Sequence, residues 1–313
     1  MLRLILKRVL AVVPVMLTVL VVIFLLLHIG SGDPAALMAG NNASPEQIEA
    51  LRKSLNLDKP LPEQFWLYAR NLAHLDLGRS IASNRPVSWL IEQRIEPTLV
   101  LALATILLSV AIAVPAGVLA AWRAGTRTDR ILSVFSVLGF SMPIFVVGYV
   151  LVQVFAIDHD WFPVQGYRPL ADGWFACLRS ITLPAFALSL LFAALVARIT
   201  RAAMLEVLAE DFIRTARAKG AGEGRVLAVH AIKNVCVPVV TVIGTSFAVM
   251  LGGVVVTESV FNIPGMGRLT VDAIMTRDYP VVQGIMLVFS AVLIGVNLLV
   301  DLSYRLFDPR VSQ

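Results

Sequence analysis

The sequence predicts an all-α integral membrane protein of about six transmembrane helices, and two observations carry that prediction. The side chains are too apolar for a soluble fold: 58% are hydrophobic and only 15% charged, with a mean hydropathy of +0.81. A soluble domain is close to half apolar and about a quarter charged. One or two soluble cores built from 313 residues could not hold that surplus, so it faces lipid. The apolar residues also arrive in runs near the length that crosses a ~30 Å hydrocarbon layer at 1.5 Å per residue. The net charge of +5 is too small a bias to argue for nucleic acid, and its placement says more than its sum.

The first run, Val9 to Ile29, follows Arg3, Lys7 and Arg8 and is interrupted only by Pro14, Thr18 and His28. It exceeds the ~7–15 residues of a signal-peptide core, and no A-x-A site follows it closely, so it reads as a retained membrane helix. Five more runs follow: Pro97 to Trp122, Ile131 to Ile157, Ile181 to Ala197, Val235 to Thr257 and Val281 to Val300. Prolines 115, 143, 184 and 238 fall within or at the ends of these runs, which membrane bundles tolerate because neighbouring groups satisfy the freed carbonyls. Gly139, Gly148, Gly244, Gly252 and Gly253 allow helices to approach closely. Cys177 and Cys236 have no cysteine neighbour of the kind redox or metal motifs require, and are expected to be isolated small hydrophobes.

Basic residues orient the chain. With a cytoplasmic N-terminus, inner loops carry Arg123, Arg127 and Arg130, then Arg198, Arg201, Arg214, Arg217, Lys219, Arg225 and Lys233, and the tail adds Arg305 and Arg310. The short outer loops carry only Arg168, Arg179, Arg268 and Arg277. Both termini are therefore expected to be cytoplasmic. The resulting division is a first membrane helix (1–30), an extracytoplasmic helical cap (31–96), a five-helix core (97–305) containing an inner loop (198–234), and a cytoplasmic tail (306–313). In the cap, Ser44-Pro45-Glu46-Gln47 is a capping serine, a first-turn proline and a Gln three residues on. Ile48, Leu51 and Leu55 then recur at helical spacing. Further short helices are expected near Pro62 and from Pro86 to Ile95.

The inner loop is the most informative segment. From Arg201 its apolar residues Met204, Leu205, Leu208, Phe212 and Ile213 lie among charges, and Gly220, Gly222 and Gly224 then break the helix. The expectation is a helix–turn–helix elbow projecting from the membrane. Such an elbow suits either a groove on a partner protein or an anionic lipid surface. No P-loop is present, because the glycines are not followed by Lys-Ser/Thr and follow a helix rather than a strand.

The stretch Asp211-Phe-Ile-Arg-Thr-Ala-Arg-Ala-Lys-Gly220, with His230, Asn234 and Pro238, resembles the cytoplasmic EAA loop of ABC-importer permeases, in the dipeptide/oligopeptide/nickel family. Arg214-Thr215-Ala216 stands where the general pattern has Glu-Ala-Ala, a departure that the peptide-type branch shares. Asp76-Leu-Gly-Arg-Ser80, Arg85-Pro-Val87, Pro97-Thr-Leu99, Ser141-Met-Pro143, Val260 to Arg268 and Leu306 to Arg310 resemble the same branch, so the likeness runs along nearly the whole chain. It implies the type I ABC-importer permease fold, in a multi-pass protein of the bacterial inner membrane. It also implies a translocation subunit without covalent chemistry, taking di- or oligopeptides, or alternatively a nickel chelate, glutathione or another small solute. Implied partners are a second permease subunit (a paralogue), two ATPase subunits that carry ATP and Mg, and an extracytoplasmic solute-binding protein. Glu210, Asp211, Arg214, Thr215, Ala216, Lys219 and Gly220 would form the ATPase-coupling loop.

The outer loop from Glu258 to Arg277 is the second candidate site. Glu258, Asn262, Pro264, Gly265 and Gly267 either gate the outer end and touch the binding protein or form an ordinary structured loop. An acid near the membrane boundary is costly unless paired or wet, so Glu258 would meet a cationic group such as a peptide amine, or pair with Arg268. Gln153, Thr241, Thr245, Ser246 and Asn297 either line a pathway or bond between helices. Asp158-His159-Asp160 has ligand-type residues at adjacent positions, which rarely converge on one ion, and no metal site is expected. A self-powered secondary transporter would need an intramembrane charged relay, whereas the helix centres hold almost no ionisable residues.

Overall fold

A computed structural model describes residues 13–25, 34–39, 43–54 and 56–307 of the chain. Apart from an isolated bridge between Arg79 and Pro86, the regular structure of the described residues is helical. The elements are α1 (Val13–Leu25), α2 (Pro34–Ala39), α3 (Pro45–Ser54), α4 (Leu61–Ala73), α5 (Val87–Trp122) and α6 (Arg127–Ser141). They continue with α7 (Ile144–Ile157), α8 (Trp174–Ala209), α9 (Asp211–Ala218), α10 (Glu223–Val260), α11 (Met266–Met275) and α12 (Tyr279–Phe307).

Four of these, α5, α8, α10 and α12, are long and apolar enough to cross a membrane, and the bent pair α6–α7 meets the same test only when its two helices are taken together. α1 falls within the first apolar run, whose two ends lie outside the described residues, as does the tail beyond Phe307. The run from Ile131 to Ile157 was expected as one helix but is bent by 103° between Ser141 and Ile144. Pro143 is the cause: its ring excludes the helical conformation of the residue before it, and Met142 is extended at ψ 128°. The fourth run, Ile181 to Ala197, is the middle of a 36-residue helix. At 1.5 Å per residue α8 spans ~54 Å, well beyond the ~30 Å hydrocarbon layer, so its ends stand outside it.

The chain divides into two compact units, residues 1–95 with 268–294 and residues 96–267 with 295–313. In the first, the Ser44 capping box forms as the sequence predicts: the Gln47 backbone N–H donates to Ser44 Oγ at 3.3 Å and the Ser44 N–H to Gln47 Oε1 at 2.9 Å. The helix expected from Pro86 to Ile95 is the start of α5, continuous through Pro97. Phe24 of α1 packs on Phe65 and Tyr68 of α4, at ring separations of 5.4 and 5.9 Å, and burial pushes the Tyr68 phenol up to about 12.

The second unit is organised around α8. Of its most apolar window 72% is buried, against 28% for α5 and 39% for α10. Small residues make this packing possible. A Cβ on Gly117 of α5 would lie 2.7 Å from the Ala197 carbonyl oxygen and 2.6 Å from Thr200 Cβ. On Gly244 of α10 it would lie 2.6 Å from Val300 of α12. Because backbone opposes the added methyl at Gly117, Gly117→Ala should destabilise the α5–α8 contact by about 1–3 kcal/mol. Thermal unfolding in detergent would show a lowered midpoint, and an unchanged midpoint would refute the close-packing account.

Candidate functional site

The elbow begins where α8 ends. Glu210 is extended (φ −68°, ψ 149°), so the amphipathic stretch before Gly220 is two helices rather than one, with α9 starting at Asp211. α9 closes with a Schellman cap. Gly220 takes φ +84°, its N–H donates to the Arg217 carbonyl at 2.9 Å, and the Ala221 N–H donates to the Ala216 carbonyl at 3.1 Å. Arg217 then bridges to Glu223 at the start of α10 through Nε (2.8 Å) and Nη2 (3.2 Å), which closes the turn.

One residue of α9 faces inward. Ile213 is fully buried in a cluster with Met204, Val226, Ala231 and Val235, so the elbow is seated on the ends of α8 and α10. Its neighbour Phe212 is 44% exposed, although both belong to the same apolar pattern in sequence. Asp211, Arg214, Thr215, Lys219 and Gly220 are exposed with it, as is Glu210, while Ala216 is half-buried. Arg214 pairs with Asp211 at 3.1 Å, both side chains standing largely in solvent, so the pair shapes the surface more than it stabilises the fold. The outward surface is an aromatic ring set among charges of both signs.

The loop from Glu258, expected on the outer side, has the opposite character. Glu258, in the last turn of α10, is fully buried. Thr98 Oγ1 donates to its Oε1 at 2.6 Å and itself accepts the Met266 N–H at 2.8 Å. The Ile263 N–H donates to the Glu258 carbonyl, and the Gly166 N–H to the Phe261 carbonyl, both at 2.9 Å. A Cβ on Gly265 would overlap the Glu258 carboxylate, and one on Gly267 would sit 2.7 Å from Val255 Cα. Both glycines therefore leave room for the acid. Asn262, at φ +54°, and Pro264 are exposed, whereas Gly265 and Gly267 are buried. Of the five outer residues singled out by sequence, three build the inside of the turn and two reach its surface.

Two carboxylates that sequence reasoning passed over anchor other loops. Asp129 accepts a forked pair from Arg201, Nε at 2.6 Å and Nη2 at 2.8 Å, plus the Gly125 N–H at 2.9 Å, tying the start of α6 to α8. Its signal was a lone acid in an otherwise basic loop. Asp278, just before α12, is buried and accepts Ser80 Oγ at 2.5 Å and the N–H groups of Ile81 (3.1 Å) and Ala82 (3.3 Å). Its position marked it as a helix cap, but its side chain serves a loop some two hundred residues away.

The polar residues within the helices are mostly engaged locally. Thr241 donates to the Val237 carbonyl and Thr245 to the Thr241 carbonyl, and Gln153 donates to Asp158 at 2.8 Å. His159 Nδ1 lies 2.6 Å from the Val154 carbonyl oxygen. Among the described residues no three His, Cys, Asp or Glu side chains are placed to share a metal ion.

Long apolar helices, broken once and carrying a short exposed helix on a rigid elbow, define a multi-spanning membrane component. The chain matches the family described as binding-protein-dependent transport system inner membrane component over residues 113–313, and that family's N-terminal region over residues 1–104. It is 48% identical over 307 residues, 98% of each chain, to a probable peptide ABC transporter permease of Sinorhizobium fredii. It is 44% identical over 311 residues, 99% of each chain, to a putative peptide transport system permease of Brucella abortus. A glutathione transport system permease of Pectobacterium atrosepticum is 43% identical over 312 residues, 99% of each chain. The fold is similar to that of the inward-facing MetNI methionine ABC transporter, with TM-score 0.59, 16% identity, and 71% of this chain and 97% of that one covered. The protein belongs to the binding-protein-dependent transport system inner membrane component family. It is a multi-pass permease of the inner membrane, as the sequence resemblance implied.

Removing the Asp129 carboxylate leaves Arg201, one-third exposed, without its forked partner. Asp129→Ala should cost about 1–3 kcal/mol, read as a lowered thermal midpoint in detergent. In the outer turn, Gly265→Ala should be as damaging as Glu258→Ala, because each disrupts the same packed carboxylate. A double variant no worse than either single one would follow, whereas additive losses would show the two positions to be independent.

Proposed function

We propose that this permease subunit passes di- or oligopeptides through the membrane, and that separate ATPase subunits drive it by gripping the α9 elbow. The observation that carries the coupling reading is the division of labour in α9: Ile213 is locked into the core while Phe212, Arg214, Thr215 and Lys219 are presented outward. An exposed aromatic anchor within a charged rim is suited to a groove on a partner, and its firm seating lets a push on the elbow reach α8 and α10. In this reading both termini and the elbow are cytoplasmic, in keeping with the density of basic residues there. ATP and Mg reside on the partners, and a paralogous permease and an extracytoplasmic binding protein complete the importer.

Peptide cargo is supported by the names of relatives in Sinorhizobium and Brucella that are 48% and 44% identical. The glutathione permease relative extends the same chemistry to a small modified peptide. Asn262 and Pro264, exposed on the outer turn, are the points offered to the binding protein, while Glu258, Gly265 and Gly267 hold that turn in shape.

Reconstitution in proteoliposomes with the four partner chains tests the reading: uptake of labelled dipeptide or glutathione should require both ATP and the binding protein. Phe212→Ala should weaken co-purification of the ATPase subunits about tenfold, equivalent to ~1.4 kcal/mol, with the second permease still bound. Uptake that persists without nucleotide, or ATPase retention indifferent to both Phe212→Ala and Arg214→Glu, would refute the coupling assignment.

A further inference from the structure

A cleft of about 420 Å³ lies between α5, α6 and α8, inside the ~300–1,000 Å³ range of small-molecule sites. Most of its lining is apolar, with Leu132, Val137 and Phe140 from α6 and Ala194 and Leu195 from α8, and at its polar end stand Arg198 and Arg201. Arg201 is already committed to Asp129. Arg198, three residues earlier on α8, has no acid or hydrogen-bond acceptor among the described residues. The three serine hydroxyls of the cleft do not compensate it, since Ser136 and Ser141 donate to the Leu132 and Val137 carbonyls of their own helix and Ser133 Oγ faces Asp129 Oδ1 at 3.5 Å. The polar end thus carries two guanidiniums and one carboxylate, a surplus of one positive charge.

We propose that this cleft holds an acyl chain of an anionic phospholipid, with the lipid phosphate on Arg198. The cleft's α6 wall is open: Val137 and Phe140 are 64% and 62% exposed and adjoin the outward-facing Val134, Phe135 and Leu138. An acyl chain approaching that open side meets no polar barrier, and an apolar slot ending in one uncompensated cation has the amphiphilic pattern of a lipid. A small soluble anion would use the Arg198 end alone and leave the apolar lining wet. Guanidinium is weakly hydrated and matches phosphate with paired N–H donors, and basic pockets between membrane helices recognise acidic headgroups. A lipid seated here would brace α6 against α8 three turns before the elbow, about a dozen residues from Glu210.

The test uses the complete importer complex, exchanged in mild detergent into equal amounts of phosphatidylglycerol and phosphatidylcholine, washed, and read by native mass spectrometry of the lipid retained. The wild type should keep phosphatidylglycerol about tenfold over phosphatidylcholine. Arg198→Ala should bring the two to parity without loss of subunits. Ser136→Trp, which fills the cleft and leaves the charge intact, should lower retention of both. Excess inorganic phosphate should leave phosphatidylglycerol in place. Equal retention of the two lipids by the wild type, an unchanged ratio in Arg198→Ala, or full displacement by inorganic phosphate would overturn the assignment. So would efficient crosslinking of a Ser136→Cys variant to the second permease, which would show the cleft filled by protein. The readout is retained lipid, so its failure leaves the importer reading untouched.

Discussion

A bilayer core offers the backbone no hydrogen-bond partner, so each residue that enters it has to satisfy its N–H and C=O within the chain. The rest of the structure depends on that constraint. Among the described residues it makes the long apolar segments helical, and the sharp interruption at Met142-Pro143 falls at a proline that cannot join the ladder in any case. With no hydrophobic force to draw helices together inside lipid, packing rests on close approach. Gly117 under Thr200 and Gly244 under Val300 are where the backbone comes near enough for dispersion to act.

The same scarcity of polar partners explains why three buried carboxylates are so prominent. Asp129, Glu258 and Asp278 each sit at a helix end and each is met by O–H, N–H or guanidinium donors from a distant part of the sequence. Water would otherwise compete for these acids; in a shielded position each becomes a fixed point for a loop. Glu258 shows the principle most fully, since Gly265 and Gly267 supply the space its carboxylate occupies and Thr98 relays between the carboxylate and the Met266 N–H. The elbow is secured by different means, an apolar peg at Ile213 and a Schellman cap at Gly220. Rigid seating beneath and a mixed aromatic and charged surface above are what a mechanical contact between subunits requires.

The sequence by itself determined the class of fold, the long apolar runs, the capping box at Ser44 and the position of the elbow. These follow from local chemistry: runs of apolar side chains that must face lipid, a serine–glutamine pair three residues apart, and glycines that end a helix. The family likeness was legible for a related reason, because its motifs are contiguous stretches. Tertiary structure alone decided which way neighbouring side chains point and which distant groups meet. Phe212 and Ile213 look equivalent in the pattern, yet the break at Glu210 turns one out and the other in. Glu258 reads as an acid near the membrane boundary, and only the fold shows that Thr98, from 160 residues earlier, and the glycines of the following turn enclose it. Asp278 carries no local signal of its partner, and its side chain serves Ser80. Orientation at a helix break and partnership across a hundred or more residues depend on how the whole chain packs, and no local spacing encodes them.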